Sequence, residues 1–149
     1  MKLRLGILAL VSFALVSLAG CVGGPSCGVT TGGSGTPSLV FTQVPPLGGT
    51  ESLQGQELHV APVDYYIAVY IHVGSEGWWI KPTFSDPETT INCDGGWSAD
   101  ITTGGDDSQA DTITAFLLPQ GFTAPQMSGE SALPATLYTN AVASVTVTR

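Results

Sequence analysis

The sequence predicts an all-β domain over residues 38–149, and three observations support that fold class. Val and Thr recur throughout this part of the chain, whereas Lys and Glu are scarce. Short apolar runs are separated by clusters of Gly, Pro, Asn and Asp, which is typical of antiparallel strands joined by turns. The length of 149 residues leaves room for one domain and excludes the large α/β barrels, which need about 250 residues.

Four strands are predicted in the first half of this domain. Short, partly apolar runs at residues 39–44 and 53–60 give the first two strands. The third, at residues 65–73, is the clearest, because its Ile and Val residues share one face while Tyr, Ala and His share the other. Since both faces are largely apolar or aromatic, we expect a central position in a sheet. The fourth, at residues 78–84, contains Pro82, which donates no ladder hydrogen bond and indicates a sheet edge or a bulge.

Three further strands follow in the second half. Residues 97–102 come directly after an Asp-Gly-Gly turn signal, residues 112–118 end before Pro119, and residues 141–148 alternate apolar and polar side chains. Seven strands in about 110 residues match an immunoglobulin-like antiparallel β-sandwich. The intervening residues 120–140 have no strand pattern and are long for a passive loop. We expect this connection to be ordered and packed over the sandwich, with one helical turn at residues 133–138.

A different signal precedes the domain. Residues 5–18 carry no charge and follow a short basic start; they are too few to span a bilayer, which takes about 20 residues, but they suit a secretory signal peptide. The next four residues, Leu18-Ala19-Gly20-Cys21, resemble the lipobox of bacterial lipoproteins. This resemblance implies that residues 1–20 are a lipoprotein signal peptide and that the Cys21 thiol is lipidated. Residues 21–37 are rich in Gly, Ser and Thr, and they are predicted to be a flexible, lipidated tether.

The lipoprotein resemblance also implies a location in the cell envelope, with the lipid attaching the protein to a membrane. Lipoproteins retained at the inner membrane mainly carry Asp after the lipidated cysteine, and this chain has Val22 there. The outer membrane or cell surface is therefore favoured. The formal net charge of −8, from 12 acidic and 4 basic residues, excludes nucleic acid as an expected partner. The expected partners are the membrane and either a polysaccharide or an envelope protein.

Several short motifs carry a second resemblance. They lie at residues 68–71, 77–82, 94–97, 100–105 and 141–148. Together they are similar to small β-sandwich modules of exported bacterial proteins, some of which accompany glycoside hydrolase domains. This resemblance implies an accessory role in substrate contact or spacing, without catalysis, and brings no binding residues with it.

The tryptophans suggest where a ligand would bind. Sugars stack their C–H faces on aromatic rings, and adjacent residues of a strand point to opposite faces. Alternation with Ile80 and Phe84 predicts Trp78 in the core and Trp79 on the surface, while Trp97 is expected in the core. An alternative is that all three rings pack inside.

Tyrosines of the third strand are candidates for the same ligand surface. Tyr66 and Tyr70 share a face with His72, so Trp79, Tyr66 and Tyr70 form the predicted ligand-binding set. The alternative, which we favour for the tyrosines, is that the 120–140 connection covers them.

Two cysteines remain once Cys21 is assigned to the lipid. Disulfides persist outside the cytoplasm, so Cys27 and Cys93 are a candidate pair, although sequence alone leaves open whether they are bridged.

The chain is predicted not to be an enzyme and to need no cofactor. It has no G-x-S-x-G elbow and no phosphate-binding loop with its lysine. Acidic residues near Gly104-Gly105 allow two interpretations, a calcium loop or a solvated loop, and the solvated loop is favoured; these residues are Asp100, Asp106, Asp107 and Asp111. No metal site is predicted, because His59 and His72 lack ligand spacing. The favoured function is a non-catalytic binding or adhesion module; a structural envelope lipoprotein and a small hydrolase are the alternatives.

Overall fold

A computed structural model describes residues 27–149, which form two facing antiparallel sheets. The strands are β1 (Ser38–Gln43), β2 (Leu53–Leu58), β3 (Tyr65–Val73), β4 (Gly77–Lys81), β5 (Glu88–Thr89), β6 (Gly96–Ala99), β7 (Thr112–Pro119), β8 (Ser128–Glu130) and β9 (Ala143–Thr148), and the helix is α1 (Ala135–Asn140). All seven predicted strands are present. The two additional strands, β5 and β8, have two and three residues.

The strand order is that of an immunoglobulin-like sandwich. One sheet has the order β1-β2-β6, and the other has the order β8-β4-β3-β7-β9 with β5 also paired to β3. The chain changes sheet after β2, after β5 and after β6, so β6 is the one strand of the second half that joins the three-stranded sheet. In the usual lettering of such sandwiches, strands A, B and E face strands C′, C, F and G. The predicted fold class is confirmed.

The main core lies between the two sheets. The inward face of β3 supplies Ile67, Val69, Ile71 and Val73, as its alternation predicts. The facing sheet contributes Leu53 and Trp97, and both are buried. Burial on both sides of β3 explains why this strand has almost no polar residue.

A second core covers the other face of the six-stranded sheet. Phe116 and Leu118 of β7 pack there against Ala124, Met127 and Leu137 from the chain after β7. The helix α1 starts after Pro134 and buries Leu137. The expectation that the 120–140 connection is ordered and packed over the sandwich is confirmed. Strand β8 within it was not predicted, because its three residues are all exposed and carry no alternation.

The segment before β1 differs from the flexible tether predicted over residues 21–37. In its described part, Thr31 is buried, its N–H donates to the carbonyl of Val60 at 2.9 Å, and its carbonyl accepts from His59 at 2.8 Å. The carbonyl of Cys27 accepts from Val63 at 3.0 Å. Backbone hydrogen bonds thus attach residues 27–37 to the sandwich although their composition offers little apolar surface. The lipobox and Cys21 lie outside the described residues.

Among residues 27–149, no helix has the length and apolar character needed to cross a membrane.

Candidate ligand pocket

The two adjacent tryptophans of β4 point to opposite faces, but in the reverse sense from the prediction. Trp79 faces the core between the sheets, whereas Trp78 and Ile80 face the second core. Both indole rings are partly buried, and the Trp78 ring centroid lies 5.2 Å from that of His72. The alternation itself was correct. The prediction of which face meets the main core was wrong, because the second core makes the outer face of β4 apolar as well.

Phe84 also departs from the prediction. It was expected to point inward with Trp78, but its side chain is 50% exposed. The reason is that β4 ends at Lys81, so the strand alternation does not extend to Phe84.

The tyrosines proposed as ligand residues are instead covered. Tyr66 and Tyr70 are 2% and 0% exposed. The Tyr66 hydroxyl donates to the carbonyl of Phe122 at 2.7 Å, and the Tyr70 hydroxyl donates to the carbonyl of Pro125 at 2.9 Å. The alternative interpretation, that the 120–140 connection covers them, is correct for both.

Burial also changes the acidity of these phenols. It raises the pKa of Tyr66 to about 12, and the negative charge of Glu88 adds to the effect. Burial raises the pKa of Tyr70 as well, with a smaller contribution from Tyr66. Both hydroxyls therefore stay protonated as hydrogen-bond donors well into the alkaline range.

Trp97 lies in the core, as predicted. It is 3% exposed and meets the ring of Phe41 edge-on, with centroids 6.1 Å apart. A Cβ atom at Gly55, its partner across the strands, would overlap the Trp97 ring. The Trp97 ring therefore packs directly against the backbone of Gly55.

A pocket of about 330 Å³, here called the Trp79 pocket, opens beside the end of β4. One wall is formed by residues 79–84, and the other by residues 103–107 of the connection from β6 to β7. Glu76, which is exposed, also lines this pocket. Of the predicted ligand residues, Trp79 lines this pocket, whereas Tyr66 and Tyr70 do not.

The polar part of the pocket is a buried ion pair. The Lys81 ammonium contacts the Asp107 carboxylate, and the two side chains are 8% and 10% exposed. Lys81 also donates to the Thr103 hydroxyl at 3.2 Å, and the N–H of Gly104 donates to Asp107 at 2.9 Å. Each charge therefore has a second partner, as a buried ion pair requires to offset its lost hydration.

Further hydrogen bonds fix the walls. The Thr103 hydroxyl donates to the carbonyl of Pro82 at 2.7 Å, and the Gln126 side-chain amide donates to the carbonyl of Phe84 at 3.2 Å. Both walls are thus held in place around the apolar surface of Phe84 and Trp79. The result is a preformed pocket with aromatic side chains next to fixed polar groups, a combination typical of small-ligand sites.

The acidic residues around Gly104-Gly105 do not converge on one point. Asp100 accepts from the N–H of Thr102 at 2.9 Å, Asp107 pairs with Lys81, and Asp111 contacts His72 at 3.0 Å. Within residues 27–149, no group of three or more His, Cys, Asp or Glu side chains is arranged to hold a metal ion. Three of these four carboxylates, those of Asp100, Asp107 and Asp111, therefore have separate partners.

Asp111 shows the effect of its neighbours. Burial acts to raise the pKa of its carboxyl, but hydrogen bonds from His72 and Thr112 outweigh burial and lower that pKa. Asp111 is therefore a stable carboxylate, and it orients the His72 ring beside Trp78.

Cys27 and Cys93 form a disulfide, the pairing that the sequence left open. The bridge joins the segment before β1 to the turn before β6. Close to the same segment, Glu57 is completely buried and accepts from the Thr31 hydroxyl at 2.8 Å. Its other carboxylate oxygen has no partner within the described chain, and burial raises the pKa of Glu57.

The sequence interpretation missed Lys81, Asp107 and Phe84 as pocket residues. One signal was available for Lys81, because it is the only lysine after residue 2 and it ends an apolar strand. A lone cation in that position usually has a buried partner. Which acid supplies that partner depends on the path of the 100–111 connection, which strand patterns do not reveal.

Comparisons with protein-family models, curated proteins and solved structures give no match to this chain.

Proposed function

We propose that this protein is an exported, lipid-anchored binding module without catalytic activity, and that it holds a carbohydrate in the Trp79 pocket. The observation that carries the ligand class is the exposed Phe84 ring beside Trp79 and the fixed polar groups of Lys81, Thr103 and Asp107. A sugar needs this combination, since its C–H face packs on an aromatic ring while its hydroxyls form hydrogen bonds at the edge.

Two features support export and anchoring. The Leu18–Cys21 box follows an uncharged stretch of signal-peptide length, which suits lipidation at Cys21. The Cys27–Cys93 disulfide suits an oxidising compartment outside the cytoplasm. Acyl chains contribute about 0.8 kcal/mol per buried CH₂, so a multiply acylated terminus would anchor the chain without a basic patch.

The binding proposal is tested by titrating neutral oligosaccharides into the purified chain and recording heat and tryptophan fluorescence. We expect Phe84→Ala to weaken binding by about tenfold or more, while changing the free energy of unfolding by less than about 1 kcal/mol. Tyr138→Ala is the matched control, because Tyr138 is an aromatic residue of similar exposure outside the pocket. Equal binding by both variants would remove the pocket from the proposal. If no oligosaccharide binds and one envelope protein co-purifies, the structural lipoprotein becomes the better proposal.

The anchor is tested separately. Cys21→Ser should abolish incorporation of labelled palmitate and leave an unprocessed precursor, because the serine hydroxyl cannot accept the thioether-linked lipid. Cys27→Ser removes the neighbouring cysteine, and with it the disulfide to Cys93, but keeps the Leu18–Cys21 box, so it should retain the label. Palmitate that persists in the Cys21 variant would contradict the lipoprotein assignment.

A further inference from the structure

We infer that the Trp79 pocket selects saccharides by charge: it binds amino sugars most tightly, neutral sugars less tightly, and acidic sugars weakly or not at all. This inference rests on the proposed function and names the ligand class of the same pocket. It follows from where the charged groups of the pocket lie and from which of them are already paired.

The pocket carries an excess of negative charge. Three carboxylates line it, those of Glu76, Asp106 and Asp107, against the one ammonium of Lys81. The formal charge of the lining is therefore 1 − 3 = −2. A ligand carboxylate or sulfate entering the pocket would meet this field at short range, where the surrounding protein screens charges less than water does.

Lys81 is not available to compensate an acidic ligand. Its ammonium is engaged by the Asp107 carboxylate and the Thr103 hydroxyl, and its side chain is only 8% exposed. A ligand anion that took the place of Asp107 would leave that carboxylate buried without its cation. Removing one partner from a buried pair is strongly unfavourable.

The two exposed carboxylates of the lining, those of Glu76 and Asp106, form its rim and are free to meet a cation. Glu76 and Asp106 are exposed, and neither takes part in the ion pairs found among residues 27–149. A sugar ring lying on Phe84 would bring a ring substituent towards this rim. A protonated amino group placed there gains a favourable ion pair, which at a partly solvated site contributes about a two- to fivefold change in affinity.

No other cation of the described chain reaches the pocket. Arg149 directs its guanidinium to the backbone carbonyls of Pro45, Pro46, Ser108 and Ala110, at distances of 2.6 to 3.4 Å. In total, residues 27–149 carry 12 acidic side chains, those of the pocket included, against Lys81 and Arg149, a formal charge of 2 − 12 = −10. The long-range field therefore has the same sign as the field of the pocket.

The test compares three tetrasaccharides of matched length, titrated calorimetrically into the full chain purified in neutral detergent. These are a β-1,4-linked glucosamine tetramer, its fully N-acetylated counterpart, and a galacturonic acid tetramer. We expect affinity to fall in that order at low salt. Raising the salt concentration should weaken the glucosamine tetramer and leave the N-acetylated tetramer unchanged, because only the former is held by charge.

Variants assign the effect to the rim. Glu76→Gln and Asp106→Asn should each weaken the glucosamine tetramer about two- to fivefold and leave the N-acetylated tetramer unchanged. Glu51→Gln is the matched control, since Glu51 is an exposed carboxylate outside the pocket and its loss should change neither affinity. Melting curves of each variant verify that the fold is retained, and the two rim positions act as independent checks on each other.

The outcomes separate the two proposals. Tight binding of the galacturonic acid tetramer would overturn the charge selection, and so would an affinity that does not depend on the charge of the tetramer. In both cases the protein would remain a carbohydrate-binding module. The same holds if neither rim variant alters the order of the three tetramers. Binding of none of the three would overturn the proposed function, and this inference with it.

Discussion

Glu57 is a residue whose side chain is held where water cannot reach it. One oxygen accepts from Thr31, while the other has no partner within the described chain. Burial raises the pKa of this carboxyl despite the opposing hydrogen bond from Thr31. Because the folded state favours the protonated form, this group contributes stability that is fully present below the ordinary Glu pKa of about 4.3 and is lost as pH rises through the raised value.

A substitution isolates this contribution. Glu57→Gln cannot ionise, so its melting temperature relative to that of the wild type should be higher at pH 7 than at pH 4. Scanning calorimetry over that range measures the difference. Glu51→Gln, at an exposed position, should show no such trend. A constant difference between wild type and Glu57→Gln would mean that Glu57 is solvated.

The buried tyrosine hydroxyls also contribute to the free energy of unfolding. Tyr70→Phe removes the hydroxyl that donates to Pro125 and leaves that carbonyl without its partner, which should lower the free energy of unfolding by about 1–2 kcal/mol. Tyr138→Phe removes an exposed hydroxyl and should be neutral. Urea unfolding at neutral pH compares the two. Equal stability would show that water replaces the Tyr70 hydrogen bond without loss.

At the scale of elements, the segment before β1 depends on one covalent bond and a few hydrogen bonds. The Cys27–Cys93 bridge spans a sequence separation of 66 residues and restricts the unfolded chain accordingly. Cys93→Ser should therefore lower stability by about 2–4 kcal/mol. Urea unfolding with and without reductant measures this loss. Reductant should destabilise the wild type and leave Cys93→Ser unchanged; a wild type insensitive to reductant would contradict a structural role for the bridge.

Sequence patterns predicted the elements with strong alternation and missed the segment that is held by backbone hydrogen bonds and a disulfide. Strand β3 was predicted from its two apolar faces, and a helical turn at residues 133–138 was predicted from Pro134 at its start, close to the observed α1. Residues 27–37 have no such pattern, and they are attached by backbone hydrogen bonds and a disulfide. Neither interaction can be predicted from the composition of the segment.

The candidate site was less predictable for a related reason. Alternation placed Trp78 and Trp79 on opposite faces, but it could not state which face meets the main core when both sides of the sheet are covered. The pairing of Lys81 with Asp107 depends on a loop path between distant parts of the sequence. Local periodicity carries no information on such a path.

The surface of the molecule as a whole is predominantly negative. The described chain has a formal charge of 2 − 12 = −10, and its two cations are engaged by a carboxylate and by backbone carbonyls. Repulsion among exposed carboxylates opposes the compact state, and salt weakens this repulsion. The melting temperature should therefore rise by a few degrees between 10 mM and 200 mM NaCl, values chosen to bring the screening length from roughly 30 Å to below about 10 Å.

A charge-reduced variant serves as the control for this salt response. The double substitution Glu51→Gln with Asp64→Asn removes two exposed charges, so its response to salt should be smaller than that of the wild type. A melting temperature that falls with salt in the wild type would show that attractive ion pairs dominate instead.

The burial of Lys81 and the residue that follows it also bear on proteolysis. Trypsin cleaves after lysine or arginine, which its acidic specificity pocket selects. Between Arg4 and Arg149 the only such residue is Lys81, and it is followed by Pro82, whose ring blocks cleavage of the preceding peptide bond. Trypsin-like proteases consequently find no site across the domain even when it is unfolded. Peptide mapping requires an acid-directed or aromatic-directed protease, and amine-reactive cross-linkers find the one lysine of residues 27–149 inside an ion pair.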